Sequence, residues 1–296
     1  MFQGSMVAIV TPMNSDGSLD IKSFKGLLDY HIECKSDGVV VVGTSGEAPT
    51  MDVDEHTFLI QEAVKHIDGK IPVIAGSGAN STKEAIFLTK KSKELGADAC
   101  LLITPYYNKP NQRGMYEHFK AINDSVDIPQ ILYNVPSRTA CDLRPETVMR
   151  LADHPNIVGI KEALDDVARL SELMAIADSQ IDTKYFSVLS GDDPSFNSFM
   201  ANGGDGVISV AANIIPSQIS QICSLNLTKQ FADASELNSI YTNIFELLFV
   251  ESNPIPVKWM LQRMERIGSG IRLPLVPFSK DFHEKTINEM IKLKLL

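Results

Sequence analysis

The sequence predicts an α/β fold: a closed (β/α)8 barrel of the TIM type with a C-terminal helical extension. Three observations lead there. Eight short apolar, β-branched runs are each bounded by Gly, Pro or polar residues, as strands buried on both faces of a parallel sheet are. The first seven begin roughly 30 residues apart, the length of one strand-plus-helix unit. A doubly wound dinucleotide sheet would place G-x-G-x-x-G after its first strand, where this chain has Thr11-Pro12; GSGAN at 76–80 lacks the third glycine and follows the third strand.

Taken in order, the strand-like runs are Met6–Pro12, Gly38–Gly43, Ile71–Gly76, Asp98–Pro105, Pro129–Pro136, Ile157–Ala163, Phe186–Gly191 and Gly206–Val210. The spacing between them turns helical. Glu55–Ile67 carries Phe58, Leu59, Ala63 and Ile67 on one stripe, and Thr82–Leu95 carries Ala85, Ile86, Leu88 and Leu95. Beyond Pro216 no further strand is expected; Gln218–Leu225, Ala232–Phe249, Pro256–Arg266 and Phe282–Leu296 read as helices. No Gly/Ser-rich or Pro-rich linker intervenes, so residues 1–225 are expected to form the catalytic barrel and 226–296 an extension of it.

Composition narrows the function. The 296 residues are 44% hydrophobic and 22% charged, an ordinary globule with room for a large core. A net charge of -10 argues against nucleic acid or an anionic membrane and favours small molecules. Cys34, Cys100, Cys141 and Cys223 form no C-x-x-C pair, so neither zinc nor a disulfide framework is expected. Neither a signal peptide nor a run of about 18 apolar residues occurs, which leads to the expectation of a cytoplasmic protein without a membrane span. His31, His56, His66, His118, His154 and His283 include no i,i+4 pair, and no metal or other cofactor is expected.

In a parallel barrel the C-terminal strand ends converge on one rim, where sites are built. Those ends carry Thr44, Ser45 and Glu47 (GTSGEAPT), Tyr106 and Tyr107 (TPYYNKP), Tyr133, Asn134 and Arg138 (YNVPSRT), Lys161 and Glu162 (GIKEA), and Gly191, Asp192 and Asp193 (LSGDDPS). Lys161 closes an apolar strand. Desolvation there lowers an amine's pKa, and a neutral amine condenses with ketones to give Schiff bases, electron sinks that need no metal. Each residue alone has a plainer reading. A strand-end lysine snorkels to water, Thr44 and Ser45 cap the next turn, the tyrosines pack with wet tips, and Arg138 pairs at the surface. Together they describe a carboxylate-binding pocket, a proton shuttle for carbinolamine dehydration and a bidentate grip on a second carboxylate. GGDG at 203–206 precedes the eighth strand, which puts it on the opposite face, where it reads as a turn.

GTSGEAPT, TPYYNKP, YNVPSRT and GIKEA, in that order and at those distances, resemble the dihydrodipicolinate synthase (4-hydroxy-tetrahydrodipicolinate synthase) family of pyruvate-dependent class I aldolases. The similarity extends over essentially the whole chain, through IPVIAGSGAN, LSGDD, GVISV and FVESNPIPVKW at 249–259. The resemblance implies condensation of pyruvate with L-aspartate 4-semialdehyde in lysine and diaminopimelate synthesis. It implies that Lys161 forms the Schiff base and that Tyr133 donates and accepts protons. Thr44 completes the relay with Tyr107, which reaches into a neighbouring subunit's site in a homotetramer made of two tight dimers. Ser45 would bind the pyruvate carboxylate, Gly191 and Ile208 would line the pyruvate pocket, and Arg138 would hold the semialdehyde carboxylate. His56, Asn80, Glu84 and Tyr106 match the regulatory lysine site of sensitive members, yet Ala48 and Val53 replace polar residues often found there, so weak or absent lysine inhibition is expected. Ser45 stands where the family more often has threonine, and Ala140 where glycine commonly follows SRT. N-acetylneuraminate lyase and 2-keto-3-deoxy sugar acid aldolases would share Lys161, Tyr133 and the GTSGE loop but usually lack the SRT arginine. A non-catalytic pyruvate-binding regulator on the same barrel is the alternative from another class.

Overall fold

The computed structural model describes residues 1–296. Eight strands, β1 (Gly4–Ala8), β2 (Gly38–Val41), β3 (Val73–Gly76), β4 (Ala99–Ile103), β5 (Gln130–Asn134), β6 (Ile157–Glu162), β7 (Ser187–Ser190) and β8 (Gly206–Ser209), pair in sequence order. All pairs are parallel, and β1 also pairs with β8 (Gly4↔Gly206, Met6↔Ile208), which closes the barrel. The helices between them are α1 (Ile21–Glu33), α2 (Val53–Ile67), α3 (Thr82–Glu94), α4 (Gln112–Ser125), the one-turn α5 (Pro136–Thr139), α6 (Pro145–Ala152), α7 (Val167–Gln180) and α8 (Phe196–Ala201). They are followed by α9 (Pro216–Leu227), α10 (Phe231–Ser239), α11 (Thr242–Leu247), α12 (Ile255–Arg263) and α13 (His283–Lys292). Several begin at a capping oxygen: Asp20, Asp52, Ser81, Asn111 and Asp166 each accept from a backbone N–H in the first turn.

Alternation along the strands divides the core. Met6 and Ala8, Val40, Ile74, Ala99 and Leu101, Ile131 and Tyr133, Leu189 and Ile208 fill the barrel interior. Their neighbours, such as Val7, Val39, Val41, Leu132 and Ile160, pack outward against the helices in a much larger cluster. A closed parallel barrel has no free edge, so every strand buries both faces, which is why the runs look uniformly apolar in sequence.

Two expected elements are redrawn. The first strand leaves the ladder at Ala8 rather than running to Pro12. Its continuation is buried but bonds elsewhere: Val10 N–H donates to Asn213 Oδ1 at 3.1 Å and Thr11 Oγ1 to the Gly46 carbonyl at 2.8 Å. The expected helix Ala232–Phe249 is two helices, α10 and α11. At the break, Ser239 Oγ donates to the Glu236 carbonyl at 2.7 Å and Thr242 Oγ1 to the Ser239 carbonyl at 3.2 Å, side-chain bonds that compete with a continuous helix. No helix is long and apolar enough to cross a membrane.

GGDG is the turn it reads as. Gly203 has φ +108, and a Cβ on Gly206 would lie 2.2 Å from the Gly4 carbonyl oxygen, so the barrel seam admits only glycine there. Asp205 accepts the Val188 N–H at 2.7 Å and so caps the start of β7 on the rim opposite the strand ends.

Candidate active site

Lys161 and Tyr133 lie opposite one another in the β5–β6 register, near the C-terminal ends of both strands. Both point into the barrel mouth and are almost fully buried. Lys161 Nζ sits over the Tyr133 ring, 4.4 Å from its centroid. Burial is the main cause that lowers the amine's pKa to about 8; the Asp193 carboxylate opposes this and the Arg138 guanidinium adds to it. Burial also pushes the Tyr133 phenol up to about 12, against the charge of Arg138 and the nearby Thr44 hydroxyl. At neutral pH the phenol is therefore a proton-bearing donor, and the lysine is a far better source of free amine than an exposed one.

The side chain of Lys161 needs space that the neighbouring loop leaves. A Cβ on Gly191 would stand 2.9 Å from Lys161 Cε and 3.0 Å from Ala163 Cβ. From below, Glu162 locks the strand end. Its carboxylate accepts from Asn134 Nδ2 at 3.0 Å, from Leu164 N–H at 3.1 Å and from Arg169 Nε at 2.6 Å, and Arg169 Nη2 also pairs with Asp142 at 2.9 Å. With Glu162 facing the helices, strand alternation turns Lys161 inward.

A cavity of about 180 Å³ opens above the amine. Thr44, Ser45, Tyr133, Arg138, Lys161 and Gly191 all line it, as do Phe249 and Asn253 from the C-terminal extension. Such a volume suits small, short substrates rather than a nucleotide. Arg138 is carried on α5 immediately after β5, and Ala140, which ends that turn, takes φ 58, the left-handed backbone in which glycine is the unstrained choice.

The remaining expected residues are placed as follows. Ile208 is buried inside the barrel beside Met6, while Val210, two residues on, walls the cavity. Tyr107 lines neither this cavity nor its neighbour; it is 88% exposed with φ 74. His56, Glu84 and Tyr106 line a second cavity of about 360 Å³ that shares Thr44, Tyr133 and Arg138 with the first, and Ala48 and Val53 form part of its wall. His56 Nε2 donates to the Gly76 carbonyl at 2.8 Å, and burial lowers its pKa. Asn80 is not on that wall; its carbonyl accepts from Asn108 Nδ2 at 2.8 Å.

Two residues that the structure brings to the site carry no expectation from the sequence. Asp193, seen at the rim but given no role, is fully buried and accepts from Ser209 Oγ at 2.5 Å, Val210 N–H at 2.9 Å and Ala211 N–H at 3.0 Å. Its charge opposes deprotonation of Lys161. Asn253 was visible only as one letter in FVESNPIPVKW, because nothing local in a helical extension announces that it folds over the barrel mouth.

Comparison with known proteins agrees with this geometry. The model of the dihydrodipicolinate synthetase family matches residues 1–293. A 4-hydroxy-tetrahydrodipicolinate synthase of Nitrosomonas europaea is 52% identical over 295 residues, covering 99% of this chain and 98% of the relative. Among solved structures, the chloride-inhibited dihydrodipicolinate synthase of Acinetobacter baumannii complexed with pyruvate superposes with a TM-score of 0.96 at 49% identity, covering 100% of both chains. A dihydrodipicolinate synthase variant described as monomeric superposes with a TM-score of 0.96 at 40% identity, covering 100% of this chain and 98% of that one. With a buried amine at the rim of a closed barrel and likeness along its whole length, this chain belongs to the dihydrodipicolinate synthetase family.

Proposed function

We propose that Lys161 is the Schiff-base lysine of a lyase that condenses pyruvate with L-aspartate 4-semialdehyde, the reaction of lysine and diaminopimelate biosynthesis to which its family belongs. The observation that carries the reading is an amine with a pKa of about 8, buried against the face of Tyr133 in a cavity open to a small substrate. The neutral amine adds to the keto carbon, and loss of water gives an imine whose protonated form draws electrons from the pyruvate methyl. A methyl proton leaves, the resulting enamine attacks the aldehyde carbon, and ring closure by the semialdehyde's amino group onto the imine carbon expels Lys161. Each transfer needs a positioned acid or base, and Tyr133, which shares the cavity wall with Thr44, supplies one.

Ser45 then binds the pyruvate carboxylate, Gly191 shapes the pyruvate end with Ile208 in the barrel interior behind the wall, and Arg138 holds the carboxylate of the semialdehyde. Tyr107 completes the relay from a neighbouring subunit in a homotetramer. Its exposure and left-handed backbone support that role, since a bulky residue is held at positive φ only where surrounding structure or function requires it. The same reading places the enzyme in the cytoplasm and treats residues 226–296 as an extension of the barrel rather than a second catalytic domain. The second cavity is the candidate lysine site, and the apolar Ala48 and Val53 on its wall favour weak or absent inhibition. Submillimolar inhibition by lysine in a steady-state assay would overturn that last point.

Borohydride reduction in the presence of pyruvate, followed by peptide mass spectrometry, tests the chemistry. An adduct on Lys161 is expected; no adduct, as for a pyruvate-binding regulator, or an adduct elsewhere rejects the mechanism. Arg138→Ala is expected to raise KM for the semialdehyde about tenfold or more while changing that for pyruvate far less, since the guanidinium binds one substrate's carboxylate. Equal effects on both would favour a sugar-acid aldolase or another substrate.

A further inference from the structure

Thr44 and Ser45 ride on a loop that its own sequence does not hold in shape. Val42 and Glu47 both take left-handed backbone angles, φ 53 and φ 58, and such residues persist there only where their surroundings enforce it. At Glu47 the far end of the chain takes part in that enforcement. The Glu47 carboxylate forms an ion pair with Lys258 of α12, both side chains being buried. Its second oxygen accepts the Arg272 backbone N–H at 3.2 Å, and Arg272 Nη1 donates to the Thr50 carbonyl at 2.9 Å.

Asn253, two residues before α12, reaches the substrate cavity itself and is 5% exposed. Its Nδ2 donates to Ser45 Oγ at 2.9 Å, and its main-chain carbonyl accepts from Arg138 Nη2 at 3.4 Å. A hydroxyl that accepts from an amide keeps its own hydrogen free to donate, which is what a carboxylate ligand demands. Asn253 Oδ1 is buried without a protein partner, a cost that an apolar residue in the same place would avoid.

We propose that Asn253 is a positioning residue that fixes the Ser45 hydroxyl and the Arg138 guanidinium relative to each other, at the separation of the two substrates' carboxylates, while Lys258 locks the loop through Glu47. The inference rests on the roles assigned to Ser45 and Arg138 above. It makes the helical extension part of substrate recognition although no side chain of it reacts.

The test uses Ser45→Ala, Asn253→Ala and the double variant in the full chain. Pyruvate affinity is read from the amount of borohydride-trapped Lys161 adduct against pyruvate concentration, and KM for the semialdehyde from steady state. Asn253→Ala is expected to weaken pyruvate about tenfold and to change the semialdehyde KM far less, because the main-chain carbonyl that meets Arg138 survives the substitution, with trapping at saturating pyruvate retained, and the double variant to bind pyruvate no more weakly than Ser45→Ala. A purely structural asparagine would lower the melting temperature and leave the pyruvate saturation curve unmoved, which would overturn the proposal; so would fully additive losses in the double variant. Should Asn253→Ala not fold, the near-isosteric Asn253→Asp decides. It can only accept from Ser45 and repels a carboxylate, so pyruvate must weaken by more than tenfold, and unchanged affinity refutes the inference. If Ser45→Ala itself leaves pyruvate affinity unchanged, the role of Ser45 falls and the proposal with it. That result is distinct from a weakened Ser45→Ala beside an unaffected Asn253→Ala, which rejects the positioning role alone.

Discussion

At the scale of single residues, the chemistry turns on how often one amine is neutral. A lysine in water, with a pKa near 10.5, is almost wholly charged at pH 8, whereas burial brings Lys161 to about 8 and leaves half of it free there. Because the neutral form reacts, the rate of adduct formation with pyruvate is expected to rise with pH and to reach half its limit near pH 8. A limb centred near 10 would show that the amine is not desolvated in solution. Lys161 was legible in the sequence because charge at the end of an apolar run is conspicuous, and Tyr133 because it closes a neighbouring run at the same rim. Asp193 and Asn253 were not. Their roles depend on burial and on partners that lie distant in sequence, and an aspartate or asparagine in a loop reads as a turn former.

At the scale of elements, the two rims of the barrel do different work. On the side away from the amine, Asp37, Asp98 and Asp205 each stand just before an even-numbered strand and accept the N–H of Ser5, Val73 and Val188 at 2.8, 2.8 and 2.7 Å. Each thereby closes the ladder at the start of the preceding strand, where a backbone donor would otherwise lack a partner. Asp205→Ala is expected to cost about 1–2 kcal/mol in denaturant unfolding, the worth of a charged hydrogen bond at a half-buried site, with kcat and both KM values unchanged. A large loss of activity without loss of stability would contradict the division of labour between the rims. Strand order and strand positions were readable because a β-branched run needs no distant information to be extended. The end of β1 and the break between α10 and α11 were not, because both are decided by side-chain oxygens that offer the backbone another partner.

At the scale of the whole molecule, two buried histidines tie stability to pH. His31 bonds Ser36 Oγ and His118 bonds Thr82 Oγ1, each at 2.9 Å through Nδ1, and each leaves Nε2 buried without a partner. Burial lowers their pKa values to about 3 and about 4 from 6.5. Below pH 6.5 the unfolded chain takes up protons that the native state refuses, so this stability is complete above 6.5 and is lost as pH falls towards 4 and then 3, by about 1.4 kcal/mol per pH unit for each group. Buried carboxylates raised by desolvation, Glu162 and Asp193 among them, act in the opposite sense, so the test is a difference. His31→Gln is expected to reduce the loss between pH 7 and pH 5 by about 2 kcal/mol in chemical denaturation, and an unchanged slope would mean that the imidazole reaches water. The barrel and its rim were readable as a whole because repetition repeats its own evidence, whereas the roof over the rim has no repeat to betray it. That roof sets an order of events in the life of the molecule. Arg272 grips the Gly17 carbonyl at 2.8 Å and the Glu55 carboxylate through both Nη atoms, so the last quarter of the polypeptide is stitched onto the first. On the proposed mechanism, a nascent chain that has just released its eighth strand carries Lys161 but not Phe249 and Asn253, so the wall around the amine is complete only when translation is nearly done.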